Sequence, residues 1–155
     1  MQLKEERALP QQLSIVDRLV AGHGPAEDAA SVVNAICRDL LLLLNSWAVL
    51  RLADGDRFVS LKTCVLNYGV PSVAGKPIRE QVLNMYQEAI QTAIERFEPR
   101  LDPETVLVHA VAEHGPSATT RFSLRIEGQL VGADSGRRLV FDSSVNTETG
   151  RVSLS

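Results

Sequence analysis

The side chains with chemical capacity in this chain are three histidines, two cysteines and a run of charge at Glu98-Pro99-Arg100, with Asp102 just beyond. His109 and His114 frame "HAVAEH", which lacks the His-Glu-x-x-His spacing that sets two imidazoles on one helical face around zinc. On a strand their odd separation puts them on opposite faces, so no shared metal is expected. His23 reads as a loop residue. Gly22 and Gly24 are a fragment of a dinucleotide fingerprint with no strand before them, and neither a Gly-x-Ser-x-Gly elbow nor a phosphate loop occurs. Cys37 and Cys64 are too few for a disulfide framework, and their apolar surroundings predict reduced, buried thiols. Glu98 and Asp102 could form a glycosidase pair of carboxylates. Arg100 stands between them, however, and a nearby cation opposes the raised pKa that a general acid needs. Aromatic residues make up 5% of the chain, so platforms for stacking sugars are scarce. The expectation is a protein without catalytic residues, metal or cofactor.

Glu98-Pro99-Arg100 invites a different reading. Proline disfavours helical backbone in the residue before it, so the preceding helix should stop near Phe97 and the triplet should extend or turn. A carboxylate at a helix C-terminus opposes the macrodipole. Either Glu98 and Arg100 pair within their own fold and lock the joint, or Pro99 presets the backbone so that both charges face a partner.

These residues need elements to hold them. The chain has 155 residues, a net charge of −3 and a pI near 5.6, which fits one domain and argues against a nucleic-acid binder. The first dozen residues, 1–12, read as a flexible polar arm, and the domain as 13–155. The opening lacks the apolar core of a signal peptide, and the most apolar stretch, between Asp39 and Arg51, is too short to cross a bilayer. A short helix is expected over Leu13–Gly22. A long one is expected over Ser31–Leu50, with Ser31 as N-cap, its face widened by Leu40 to Leu44 and continued by Trp47. "DG" at Asp54-Gly55 marks a turn. In "VLNYGVP", Asn67, Gly69 and Pro71 predict a tight turn, with Tyr68 suited to a core edge or an interface. A third helix should run over Ile78–Phe97, with Pro77 in its first turn. After it the period changes. Thr105–Val111 is rich in β-branched residues, Phe122, Leu124 and Ile126 alternate with Arg121, Ser123 and Arg125, and Leu139, Phe141 and Val145 share a face. "TETG" turns into the short strand "RVSLS". The order predicts an α+β fold, two main helices packed on one face of a mostly antiparallel sheet.

"RDLLLLLNSW", "CVLNYGVP" and "IERFEPRL", in this order and spacing, resemble the type VI secretion baseplate component TssE, a family related to the baseplate wedge (lysozyme-like) protein of contractile-tailed phages. The leading "IVDRL" also fits, and the resemblance covers nearly the whole chain. The chain departs from the family pattern in two places: Ser46 and Trp47 stand where Thr and Arg usually follow, and leucines follow Asp39. The resemblance implies a non-enzymatic cytoplasmic protein in a baseplate docked at the inner membrane. Its partners would be other wedge subunits and contractile sheath subunits, with no nucleic acid, no small-molecule substrate and only indirect contact with the membrane. A lysozyme-like glycosidase is the alternative. Under the resemblance, Glu98, Pro99 and Arg100 are the foremost partner-binding residues, and Tyr68, Arg38 and Asp39 are candidates beside them. The final strand, Arg151, Val152, Ser153 and Leu154, should lie at a sheet edge with few charges to blunt it. Such an edge is either short enough to be harmless or open to an added strand. Sheath subunits of such systems knit together by exchanging extended arms, which implies a sheath arm as that strand.

Overall fold

The computed structural model describes residues 29–48, 64–113, 120–132 and 136–154. The expected N-terminal arm, the Leu13–Gly22 helix and the Asp54-Gly55 turn lie outside the described residues. Helix α1 spans Ala29–Leu44 and helix α2 Glu80–Phe97. Strands β1 (Leu107–Ala112), β2 (Arg121–Gln129), β3 (Arg138–Asn146) and β4 (Val152–Leu154) form one antiparallel sheet in sequential order. The expected α+β architecture is what the chain adopts.

The strands are fixed by their alternation. Phe122, Leu124 and Ile126 of β2 and Leu139, Phe141 and Val145 of β3 are buried on one face, while Arg121 and Arg125 are exposed on the other, as the period of two requires. Both helices cover the buried face. Helix α2 contributes Leu83, Tyr86, Ile90 and Ile94 to the core, and the Tyr86 ring meets Phe122 edge to face at 5.8 Å between centroids. Helix α1 contributes Val32, Ile36, Leu40, Leu43 and Leu44. Each such side chain taken from water adds roughly 1.5–3 kcal/mol, and together they hold the layers in contact.

The boundaries differ from expectation for local reasons. Helix α1 begins at Ala29, so Ser31 lies inside it rather than capping it. It also ends at Leu44 rather than Leu50. The Leu41 carbonyl keeps its helical bond from the Asn45 N–H at 3.1 Å and gains Asn45 Nδ2 at 2.9 Å. At Ser46 the N–H shifts to the Leu43 carbonyl at 3.2 Å, and the hydroxyl takes the Leu42 carbonyl at 2.7 Å that a further helical residue would have used. The chain then leaves along Val70. The Val70 N–H donates to the Ser46 carbonyl at 3.0 Å, and the Ala48 N–H donates to the Val70 carbonyl at 3.2 Å. Trp47 is therefore off the helical stripe and exposed, and Leu42 also faces out. This close crossing needs Gly69, whose φ is +124° and whose missing Cβ would stand 2.3 Å from the Ser46 carbonyl oxygen. Helix α2 starts at Glu80, leaving Pro77 and Ile78 before it, with Arg79 extended as its N-cap. Thr105 is not in a strand. Asp102 accepts the Glu104 N–H, and Thr105 donates its hydroxyl to the Asp102 carbonyl, folding Pro103–Thr105 into a single 3-10 turn before β1.

Candidate interaction site

The joint after α2 is built from Glu98 outward. The Glu98 N–H completes the helix by donating to the Ile94 carbonyl, and the Leu101 N–H donates back to the Glu98 carbonyl at 3.2 Å. Glu98-Pro99-Arg100-Leu101 is thus a hydrogen-bonded turn with proline in its second position, where its fixed φ is favoured. Beyond the turn, Asp102 donates its N–H to the Gln129 carbonyl and Val131 donates to the Arg100 carbonyl, both at 2.9 Å. These bonds tie the joint to the end of β2, where the Leu101 side chain lies over Gly128.

On this frame the charges face one another. Arg100 forks onto Glu98, Nε to Oε1 and Nη2 to Oε2, each at 2.7 Å, and its backbone N–H adds a third bond to Oε1. The same Nη2 reaches across to Asp39 of α1 at 2.6 Å. Asp39 in turn accepts from Arg38 at 2.9 Å. Tyr68 closes the group from the loop that crosses α1, its hydroxyl 3.5 Å from the Asp39 carbonyl and its ring edge-on to Phe97 at 5.2 Å. Burial by itself would lower the Arg100 pKa, but the Glu98 and Asp39 carboxylates outweigh it and hold the guanidinium above its ordinary value. Burial, and then the charges of Asp39 and Glu98, raise the Tyr68 phenol.

The six residues singled out for partner contact therefore come together from three separate segments. Of the two readings of the triplet, Glu98 follows the internal pairing: it is only 4% exposed and turned inward onto Arg100. The reason is its position at the buried end of α2, where an ionised carboxylate needs a close cation. Pro99 and Arg38 form the exposed rim. Two guanidiniums balance two carboxylates, and the cluster bonds α1, the 64–71 loop and the α2 joint into one unit. Both oxygens of Glu98 accept from Arg100, so neither is poised to deliver a proton to a leaving group.

The other candidates lie apart. Cys37 and Cys64 are free but half-buried rather than buried, and burial raises the Cys37 thiol. His109 is exposed on the outer sheet face; His23 and His114 lie outside the described residues. Among the described residues no three His, Cys, Asp or Glu side chains are grouped to hold a metal ion. None of the described helices is long and apolar enough to cross a membrane.

Among the described strands, β4 lies at the sheet edge and pairs with β3 alone. In an antiparallel pair, successive residues alternate between facing the partner strand and facing away. The Asn146 N–H donates to the Arg151 carbonyl, which makes Ser144 and Ser153 the next bonded pair and turns the Ser153 N–H inward. Val152 and Leu154 carry the outward groups. Those of Val152 are taken: its N–H donates to Asn45 Oδ1 and its carbonyl accepts from Asn45 Nδ2, both at 3.0 Å. Asn45 is a residue that sequence reasoning missed. Its only signal was an amide side chain closing an apolar helical run.

No curated protein and no solved structure matches this chain significantly. The family model described as baseplate wedge protein gp25 matches residues 30–135, a span that includes α1, the crossing loop, the charged joint and the first two strands. This is a family of structural baseplate components, assembled with other baseplate subunits. The chain belongs to the baseplate wedge protein gp25 family.

Proposed function

We propose that this protein is a type VI secretion baseplate wedge subunit of the TssE kind, a non-enzymatic component on which the contractile sheath begins to polymerise. The observation that carries the reading is the edge of β4, where Leu154 turns its N–H and C=O away from β3 and meets no other described strand. An extended arm of a sheath subunit pairs with that edge through main-chain hydrogen bonds. The cluster of Arg38, Asp39, Tyr68, Glu98, Pro99 and Arg100 is the face toward neighbouring wedge subunits. Arg38 and Pro99 make the contact, and the buried carboxylate–guanidinium fork holds their backbones in place. The protein works in the cytoplasm and meets the membrane only through the assembled baseplate.

Leu154→Pro tests this. Proline removes the outward donor, leaves the inward Ser153 bond in place and favours extended backbone at Ser153. The variant is expected to fold and co-purify with its wedge partners, yet fail to seed sheaths from purified sheath subunits. Normal seeding by the folded variant overturns the reading. Ser153→Pro is the control that loses β4 itself.

A further inference from the structure

An edge strand of three residues offers very little. Outward-facing backbone on β4 belongs to Val152 and Leu154, and upstream the Gly150 N–H is already spent on the Asn146 carbonyl. With Val152 sealed by Asn45, a single described residue remains for an incoming strand to pair with. Such an edge cannot hold an extended arm, because strand addition draws its affinity from several successive main-chain bonds.

The seal is unusual in kind. A primary amide carries one N–H donor side and one carbonyl acceptor, the same pair that a peptide unit offers. Asn45 presents both to Val152, each at 3.0 Å, as one residue of a strand would. The bonds are between neutral groups, and Asn45 is exposed at the end of α1 rather than packed in the core. An incoming backbone can replace each bond like for like: its C=O takes the Val152 N–H, and its N–H takes the Val152 C=O. The displaced amide keeps a second acceptor within reach, since the same Nδ2 already donates to the Leu41 carbonyl at 2.9 Å. Release therefore strands no polar group.

We infer that Asn45 is a latch on the β4 edge, a false strand that keeps the edge too short for pairing until a genuine strand displaces it. This rests on the strand-addition reading above and adds its regulation. Closed, the edge is blunted against a second copy of the chain. Open, Val152 and Leu154 form a continuous template.

The experiment compares wild type, Asn45→Ala, Asn45→Asp and Leu154→Pro as full chains in reconstituted wedges. The lag before polymerisation of purified sheath subunits is read alongside amide hydrogen exchange at Val152 and Ser153. Alanine removes both latch bonds. Aspartate keeps the acceptor but sets a carboxylate oxygen against the Val152 carbonyl. The latch predicts that both Asn45 variants exchange the Val152 amide faster, keep the Ser153 amide protected and shorten the lag at least about threefold. An unchanged lag with faster Val152 exchange overturns the latch and leaves strand addition standing. A longer lag with loss of Ser153 protection makes Asn45 a plain anchor for β4 and also overturns it. Normal seeding by Leu154→Pro removes strand addition itself, and the latch with it.

Discussion

Arg100 pairs with two carboxylates at once. It neutralises a buried carboxylate at the end of α2, where the helix dipole already disfavours negative charge, and it reaches a second carboxylate on another helix. Breaking a buried ion pair from one side leaves the partner uncompensated, which costs more than the intact pair contributes. Arg100→Ala is therefore expected to destabilise the fold by about 3 kcal/mol, read as a fall in Tm of roughly 6–12 °C. Replacing Glu98 and Arg100 together with Leu and Met should recover much of that loss, because no buried charge is then left alone. Arg38→Ala, on the exposed rim, should leave Tm within about 2 °C, since a surface pair contributes about 0–1 kcal/mol. Its effect belongs in co-purification with other wedge subunits, where it should weaken capture. The triplet's importance was legible from Pro99 and the adjacent charges. Asp39's part was not, because it joins across 61 positions and depends on how α1 lies against the end of α2.

At the scale of elements, the two best-read segments were α2 and β2. Each carries a long, uninterrupted stripe at one period, and burial then leaves a single orientation open. The end of α1 was not legible, since side-chain bonds from Asn45 and Ser46 and pairing with Val70 override a continuing apolar pattern. Nor was the inward turn of the Ser153 N–H, because a change of one residue in the 147–150 turn would invert it. The outer face of the sheet has its own electrostatics. Arg125 stands opposite Asp142 and forks onto it at 2.6 and 3.0 Å, while Arg138 bonds Glu127 diagonally. The Arg125 hydrogen bond holds the Asp142 carboxyl below its ordinary pKa, so the pair adds stability above the usual carboxylate range and loses it as pH falls through the folded value. Asp142→Asn should lower the urea midpoint slightly at pH 7, and the two curves should converge as pH falls below the folded value. Added salt should shrink the difference, since the pair is exposed. A gap that persists in acid would show that Asp142 acts by packing instead.

For the whole molecule, the sheet's sequential order has a temporal meaning. Strands β1 to β4 join neighbours in the chain, so each pairing closes only a short loop and the sheet can assemble hairpin by hairpin. The clasp between Asn45 and Val152 spans 107 residues and can close only after α1 has been laid onto a finished sheet. It should then be absent from the folding transition state. A chevron plot of Asn45→Ala should show an unchanged folding limb and a raised unfolding limb, a φ-value near zero. The last contact to arrive would also be the first to leave, so the β4 edge loosens in a molecule that is otherwise fully folded.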